Sequence, residues 1–432
     1  MDAKSIVVRY SPQADPVTGH VEGYKLLEIS NELMKEIDQA EQAGHDLSQG
    51  KPTDDAVICT PSATYQLRTI SLSNSLLVLE QPTASSSTSP DTDTSRAPEL
   101  HLKDTSHEIL ELLPIVPRLG RIEKVLKEGA WGGMDVLANS DEISEDGKRK
   151  REVGDVRNTD GKKRYTRSQL CSVVQASDQE LDEGLRENNV IEIGSHLVYL
   201  PLNHLLPLLS ILLSLITLHT IDQPDQFDYT TQESQDRTFF PLTDPAPIRL
   251  TLREDHGVQE EIFDGLEGLF GRAVPVEGAE EKEIWVVDVK RVIREMGKGM
   301  LLEENKDEPN TVADFTNRWR MEVGDDFGSA VDLDMLKGYY LVETSRLTAL
   351  ASKDLSASLL TPFPHTSLPS DPATRFSELF LTRPKWRPDD MEPFLRTLVK
   401  AGDTKVRDKM VAKFVRIVKE KDGVWWYPRR TA

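Results

Sequence analysis

Hydrophobic and polar positions change their period several times along this chain, and each change marks an element. From Ile6 to about Leu79 the apolar residues come in short β-branched and aromatic runs. These are Ile6 to Tyr10, Tyr24 to Ile29, Ala56 to Thr60, Thr64 to Ile70 and Leu76 to Leu79. Turn residues separate them, which predicts five short strands. A helical pattern from Asn31 to about Ala43 interrupts the series. Five strands and one helix make a small barrel or open sheet with unpaired edges, and such edges need a mate. Residues 1–80 are therefore expected to form a partial β-barrel completed by partner chains.

Gln81 to Pro98 has no apolar periodicity and reads as a flexible linker, extended here to residues 81–116, with a short apolar run at His107 to Leu113. Leu119 to Glu128 then reads as a helix. Thr166-x-x-Gln169 and Ser177-x-x-Glu180 are two consecutive capping boxes, each opening an apolar-periodic helix. Val190 to Ile193 and Leu197 to Leu200 flank Gly194-Ser195 as a two-strand hairpin. Helix, helix, helix, hairpin is the order of a winged helix, which predicts one over residues 117–200. A charged, core-free insertion at 139–163 is expected to be disordered.

The middle, residues 201–368, repeats this grammar less clearly. Helical stretches run over Leu202 to Thr220, Gln259 to Gly271, Val289 to Glu304, Val312 to Glu322 and Leu333 to Lys337. Strand-like runs occupy Ile284 to Val287, Tyr339 to Glu343 and Leu347 to Ala351. One elaborated winged helix or two in tandem would fit. Asp222 to Pro247 reads as an extended loop and Pro362 to Asp371 as a linker.

Residues 369–432 show the order again. Helices are predicted from about Phe376 to Leu381, from Pro388 to Ala401, and from Asp403 or Thr404 to Lys421, followed by a strand at Val424 to Tyr427. At 3.6 residues per turn, Val406, Met410, Phe414 and Ile417 share the arc expected to pack inward. Lys405, Lys409, Lys413 and Arg416 share the neighbouring arc, a basic stripe on the helix that a winged helix can present to nucleic acid. Arg429 and Arg430 follow the closing strand. A solvated face on a scaffold helix is the competing reading.

Charge sharpens this picture. From Arg375 onward there are 15 lysines and arginines against 8 acids, whereas the preceding 374 residues carry 37 basic and 65 acidic side chains. Any phosphate contact is expected at the C-terminal end. The second capped helix of the first winged helix is the opposite: Asp178, Glu180, Asp182, Glu183 and Glu187 stand against Arg186 alone. A helix so charged repels phosphate and suits a protein partner. Within the insertion, Lys148-Arg149-Lys150-Arg151 and Lys162-Lys163-Arg164 stand ten residues apart, as in a bipartite nuclear import signal. That predicts a nuclear protein, with a plain solvated charge run as the alternative.

Only Cys59 and Cys171 are present, which rules out a disulfide framework. Leu205 to Leu218 is too short to span a bilayer and reads as a buried core helix, so no membrane partner is expected. The Gly265, Gly268, Gly271 spacing is not a dinucleotide fingerprint, Gly297-Lys298-Gly299 lacks the rest of a phosphate loop, and the histidines are scattered. No enzyme, metal or cofactor is expected.

The ordered features resemble the Dcc (defective in sister chromatid cohesion) subunit of the alternative replication factor C clamp loader. The likeness is carried by Thr64 to Arg68 with NSLLVL following, by Gln175 to Leu185, by Leu333 to Gly338, and by RFSELF, Lys385-Trp386 and DDMEPFL in the final module. Each motif is weak; their order and spacing are what match. The resemblance implies an α+β protein, a non-ATPase accessory subunit acting on the sliding clamp PCNA at replication forks. It implies N-terminal strands that share a β-barrel with a small subunit and with the large loader subunit. It further implies tandem winged helices that hook the complex to polymerase epsilon and contact DNA locally. A winged-helix transcription regulator reading specific DNA sequences is the alternative, and a hidden hydrolase a third. The regulator is disfavoured because the basic helix offers no Asn or Gln for adenine.

Overall fold

Five strands at the front of the chain join into one sheet: β1 (Val7–Tyr10), β2 (Leu26–Glu28), β3 (Val57–Cys59), β4 (Thr64–Glu80) and β5 (Glu99–Ile115). They are seen in a computed structural model that describes residues 7–10, 24–31, 33–35, 54–80, 99–134, 163–221, 240–275, 283–303, 310–343, 355–399 and 403–429. The chain is a mixed α+β structure in two units, one ending at Ile115 and the other beginning at Val116.

In the first unit β4 and β5 pair antiparallel from Thr64↔Ile115 to Glu80↔His101, with an irregularity between Ser71 and Leu76. β1 and β2 add in parallel to the other edge of β5, and β3 pairs only with Thr64 to Gln66 at the start of β4. Two expectations are corrected. Thr64 to Ile70 and Leu76 to Leu79 are one strand, because the polar stretch between them bulges without turning. Residues 99–115, expected to lie in the linker, are strand β5. Lys103, Asp104, Glu108 and Glu111 hide it by interrupting the apolar alternation, and Lys103 pairs with Glu80 at 2.7 Å. Asn31 and Leu33 to Lys35 are helical; the rest of the expected helix to Ala43 lies outside the described residues.

Among the described residues this sheet has almost no core. No described apolar side chain of its strands is buried; Leu33 and Ala63, outside the strands, are the buried apolar residues of this unit, whereas Leu77 and Leu79 are 53% and 40% exposed. Between Arg68 and Glu80 the outer edge of β4 pairs with no other described strand.

The second unit runs four times through a variant of one element order: helix, short strand, two helices, hairpin. A 3-10 turn stands for the second of the two helices in the third, and a single bridging residue for the strand in the fourth. The first repeat is α1 (Arg121–Leu126), β6 (Tyr165–Thr166), α2 (Arg167–Val174), α3 (Asp178–Glu187), β7 (Val190–Ile193) and β8 (His196–Tyr199). The second is α4 (Leu202–Leu218), β9 (Leu242–Thr243), α5 (Pro245–Glu254), α6 (Glu260–Phe270), β10 (Gly271–Pro275) and β11 (Glu283–Val287). The third is α7 (Val289–Glu303), β12 (Asn310–Thr311), α8 (Val312–Val323), a 3-10 turn at Leu333–Leu336, β13 (Tyr340–Glu343) and β14 (Leu359–Pro362). The fourth is α9 (Pro372–Thr382), a single bridging residue Trp386, α10 (Pro388–Met391), α11 (Thr404–Phe414), β15 (Val415–Glu420) and β16 (Gly423–Pro428). In every repeat the short strand pairs with the last one: β6 with β8, β9 with β11, β12 with β14, Trp386 with Trp426 of β16.

Local sequence explains the grammar. Both capping boxes form, and Asp244 and Thr311 cap α5 and α8 in the equivalent place. The Asp244-Pro245 start of α5 falls inside the stretch expected to be a loop, which conceals that helix. β14 escapes the strand pattern because Pro362 ends it, and Leu347 to Ala351 lies outside the described residues. α4 is the core helix expected, with Leu205, Leu208, Leu209, Leu212, Leu213 and Ile216 buried. Among the described residues no helix is long and apolar enough to cross a membrane.

A buried ionic cluster ties the first repeat to the third. Glu295 accepts from Lys298 Nζ at 2.8 Å, Arg294 Nε at 3.1 Å and Asn189 Nδ2 at 2.9 Å. Arg294 also donates to Glu187 at 2.9 Å, and Arg291 to the Arg186 carbonyl. Burial pushes the Glu295 carboxyl up, but Lys298 and Arg294 outweigh it and hold it below the usual range. Lys298 lies 4.7 Å from the Tyr339 ring, which meets His365 edge-on at 4.9 Å where the third repeat joins the fourth.

Burial, reinforced by Lys298, Arg375 and Arg396, lowers His365 to about 4 from 6.5, and its Nδ1 has no hydrogen-bond partner among the described residues. Folded His365 is thus neutral between those values while the unfolded chain binds its proton, so stability falls as pH drops from about 6.5 to 4. That loss is expected to reach up to about 3 kcal/mol before solvent screening. Urea titrations at stepped pH check it: His365→Phe should flatten this part of the profile, and an unchanged profile would refute it.

Candidate nucleic-acid interface

The helix before the hairpin is the element each repeat could offer to a groove, so the four can be compared. In the second repeat α6 is spent inward. Ile262, Phe263, Leu266, Leu269 and Phe270 are buried, and a Cβ on Gly265 would come within 2.7 Å of Ile191 on β7. In the third repeat the equivalent is one 3-10 turn. α6 leaves only Glu260, Glu261, Asp264 and Gly268 exposed, so the larger exposed arcs are those of α3 and α11.

On α3 the five acids predicted to meet a protein partner are unequal. Glu180 is buried, closing the capping box with Ser177. Asp182 takes a 2.5 Å bond from Arg167, which also lies 3.9 Å from Asp178. Glu187 is tied to Arg294 and Lys298. Burial raises the Glu187 carboxyl, and those two cations more than reverse the shift. Asp178, Asp182, Glu183 and Glu187 remain exposed to solvent.

On α11 the helix ends at Phe414, not Lys421. The β-branched run from Val415 becomes β15, because Val424 to Tyr427 needs a strand to pair with. The inward arc shifts accordingly. Val411 is buried and Met410 and Phe414 half-buried, whereas Val406 and Ile417 are 48% and 58% exposed. The preceding helix is also shorter than predicted: α10 stops at Met391 and a 3-10 turn follows, where Pro393 cannot supply a helical N–H.

Lys405, Lys409 and Lys413 stand together on the exposed arc, with small Ala412 among them. Arg416 has left the helix: it lies on β15, its guanidinium 5.6 Å from the Tyr427 ring. Arg429 donates to the Ala412 carbonyl at 2.5 Å at the end of α11, and Arg430 is outside the described residues. Several other cations of this region are structural. Arg375 is buried and donates to the carbonyls of Leu368, Pro369 and Phe394, and Arg407 pairs with Glu392 at 2.9 Å. The local charge excess therefore overstates what is available to meet phosphate; the lysine arc remains available, as do exposed Arg387, Arg396, Arg416, Lys419 and Lys421.

Sequence reasoning alone does not single out Lys385, Arg387, Trp425 and Tyr427 as surface groups. The alternation in Gly423 to Pro428, which sends Trp426 inward, is the signal that could have found them. Of the basic clusters read as an import signal, Lys148 to Arg151 and Lys162 lie outside the described residues. Lys163 and Arg164 belong to the first repeat, with Lys163 Nζ 5.1 Å from the Tyr165 ring. Among the described residues no three His, Cys, Asp or Glu side chains are grouped to hold a metal ion.

Comparison of the sequence with known proteins points to one family. Residues 24–395 match the family model described as sister chromatid cohesion protein Dcc1. The sister chromatid cohesion protein DCC1 of Xenopus laevis is 25% identical over 399 residues, covering 91% of this chain and 86% of that protein. The Homo sapiens protein of the same name is 23% identical over 393 residues, 90% of this chain and 84% of its own. A probable sister chromatid cohesion protein DCC1 of Dictyostelium discoideum is 23% identical over 386 residues, 88% of each. A match that runs from the front sheet through three repeats and into the fourth leaves one conclusion: this chain belongs to the Dcc1 family of sister chromatid cohesion proteins.

Proposed function

We propose that this chain is a non-catalytic accessory subunit of an alternative clamp loader, acting in sister chromatid cohesion in the nucleus. In this reading its four repeats are winged helices, and it joins the loader to leading-strand polymerase epsilon and to DNA, touching PCNA only through its partners. The observation that carries the reading is the front sheet. Two seventeen-residue strands that bury no apolar side chain among the described residues cannot offset the entropy of ordering them. A partner strand added along β4 would bury Leu77 and Leu79 and satisfy the open edge. The acidic arc of α3 supports a basic protein surface as partner, and the lysine arc of α11 supports DNA.

Co-expression of the full chain with the small and large non-ATPase loader subunits tests this. The complex is expected to co-purify and to protect the first unit from limited proteolysis. Leu77→Lys with Leu79→Lys is expected to lose the partners while the second unit keeps its melting temperature. A first unit that stays protease-resistant and monomeric alone would sink the proposal.

A further inference from the structure

From the C-terminal hairpin we infer that the nucleic-acid contact continues beyond α11, as a second row of phosphate-binding cations that two carboxylates hold back. The inference rests on reading α11 as a nucleic-acid helix and adds a new surface to it. In the β15–β16 register Arg416 lies opposite Tyr427 and Val418 opposite Trp425, so these four share the face away from buried Trp426. The segment around the Trp386 bridge adds Lys385 and Arg387. Lys385 Nζ lies 4.1 Å from the Trp425 ring centre and 6.0 Å from that of Tyr427. The Arg387 guanidinium lies 5.0 Å from Trp425, and that of Arg416 5.6 Å from Tyr427. Cations stacked on rings have already given up much of their rotamer freedom, so less is lost when they bind phosphate. Arg429, bonded to Ala412 on the lysine arc, links this row to α11.

Two acids oppose the row. Glu420 accepts from Lys385 at 2.8 Å and from the Tyr427 hydroxyl. Asp422 accepts from Trp425 Nε1 at 3.0 Å, and its other oxygen is 3.9 Å from Arg387. An acidic peptide would bring carboxylates no better placed than these. A duplex presents about one charge per 1.7 Å of axis and gains from counterion release, so it can displace them. The ligand class is therefore the nucleic-acid backbone.

The test uses the full chain and a labelled random-sequence duplex, with anisotropy read across a salt series. Glu420→Gln with Asp422→Asn is expected to raise low-salt affinity about tenfold and steepen the log–log salt slope by about 1 to 2. Lys385→Gln, Arg387→Gln and Arg416→Gln together are expected to lower affinity about tenfold and flatten the slope by about 2. Near-UV circular dichroism and melting temperature verify that the hairpin stays folded. Unchanged affinity in both variants overturns the inference while leaving α11 intact as a reading. A glutamate-rich peptide that binds the wild-type chain more tightly than the duplex also overturns it. If charge reversal on α11 is silent too, the underlying DNA reading has failed instead.

Discussion

Replacing Lys405, Lys409 and Lys413 together by glutamate is expected to reduce duplex affinity at least about a hundredfold at low salt, because three phosphate contacts become three repulsions. The native salt slope should be about −3 from the lysine arc alone, and the variant should lose most of it. These side chains are exposed on α11, so the fold has little to lose. In Lys405→Glu the new carboxylate sits in the first turn, where a negative charge suits the helix dipole. In Lys413→Glu it sits in the last turn, where it costs a few tenths of a kcal/mol. Anisotropy titrations with the full chain give the affinity, and the melting temperature controls for folding. A flat salt dependence in the wild-type protein would falsify the DNA role outright. The same titrations against random and selected duplexes address sequence reading: equal affinity for both is expected of a chain that meets the backbone.

The largest effect on stability is expected from Glu295→Ala. That carboxylate is 1% exposed and takes bonds from Lys298, Arg294 and Asn189. Removing it leaves Lys298, itself 2% exposed, as a buried charge without its main partner. Breaking a buried pair this way costs about 3–5 kcal/mol. Replacing both members at once, Glu295→Leu with Lys298→Met, is expected to cost distinctly less, because no charge is stranded. Denaturant midpoints for Glu295→Leu, Lys298→Met and the double close the cycle; strict additivity would show that the pair is not coupled. pH gives an independent check. Glu295 and Glu187 are both held below their ordinary values in the folded state, so their contribution is present above about 4.5 and is lost as pH falls through the lowered values. That window lies below the one set by His365, so acid unfolding should proceed in two distinguishable stages.

Elements whose signal is local are legible in the residues. Thr166-x-x-Gln169 and Ser177-x-x-Glu180 announce α2 and α3, and both boxes form with the expected bonds. The leucine run of α4 and the strand alternation around Ile284 are equally plain. Where a strand's mate lies far away, the reading slips. β5 looks like a linker, since its charged positions are stabilised by β4 across the sheet. Val415 to Val418 looks helical because counting turns cannot see that β16 will come back to pair with it. Arg416 moves with that strand, which is why one of the four stripe cations faces Tyr427 instead of the groove side of a helix.

Charge and capping thus determined, from the residues alone, where α2 and α3 begin, which end of the chain is basic and which helix is acidic. These are properties of neighbours a few positions apart, and they survive whatever the rest of the chain does. Which charges are available was decided only by tertiary packing. It buried Arg375 among carbonyls, tied Glu187 to Arg294, pressed α6 onto β7 at Gly265, and left Lys405, Lys409 and Lys413 in water. Partnering of this kind depends on residues far along the chain, and no local pattern encodes it.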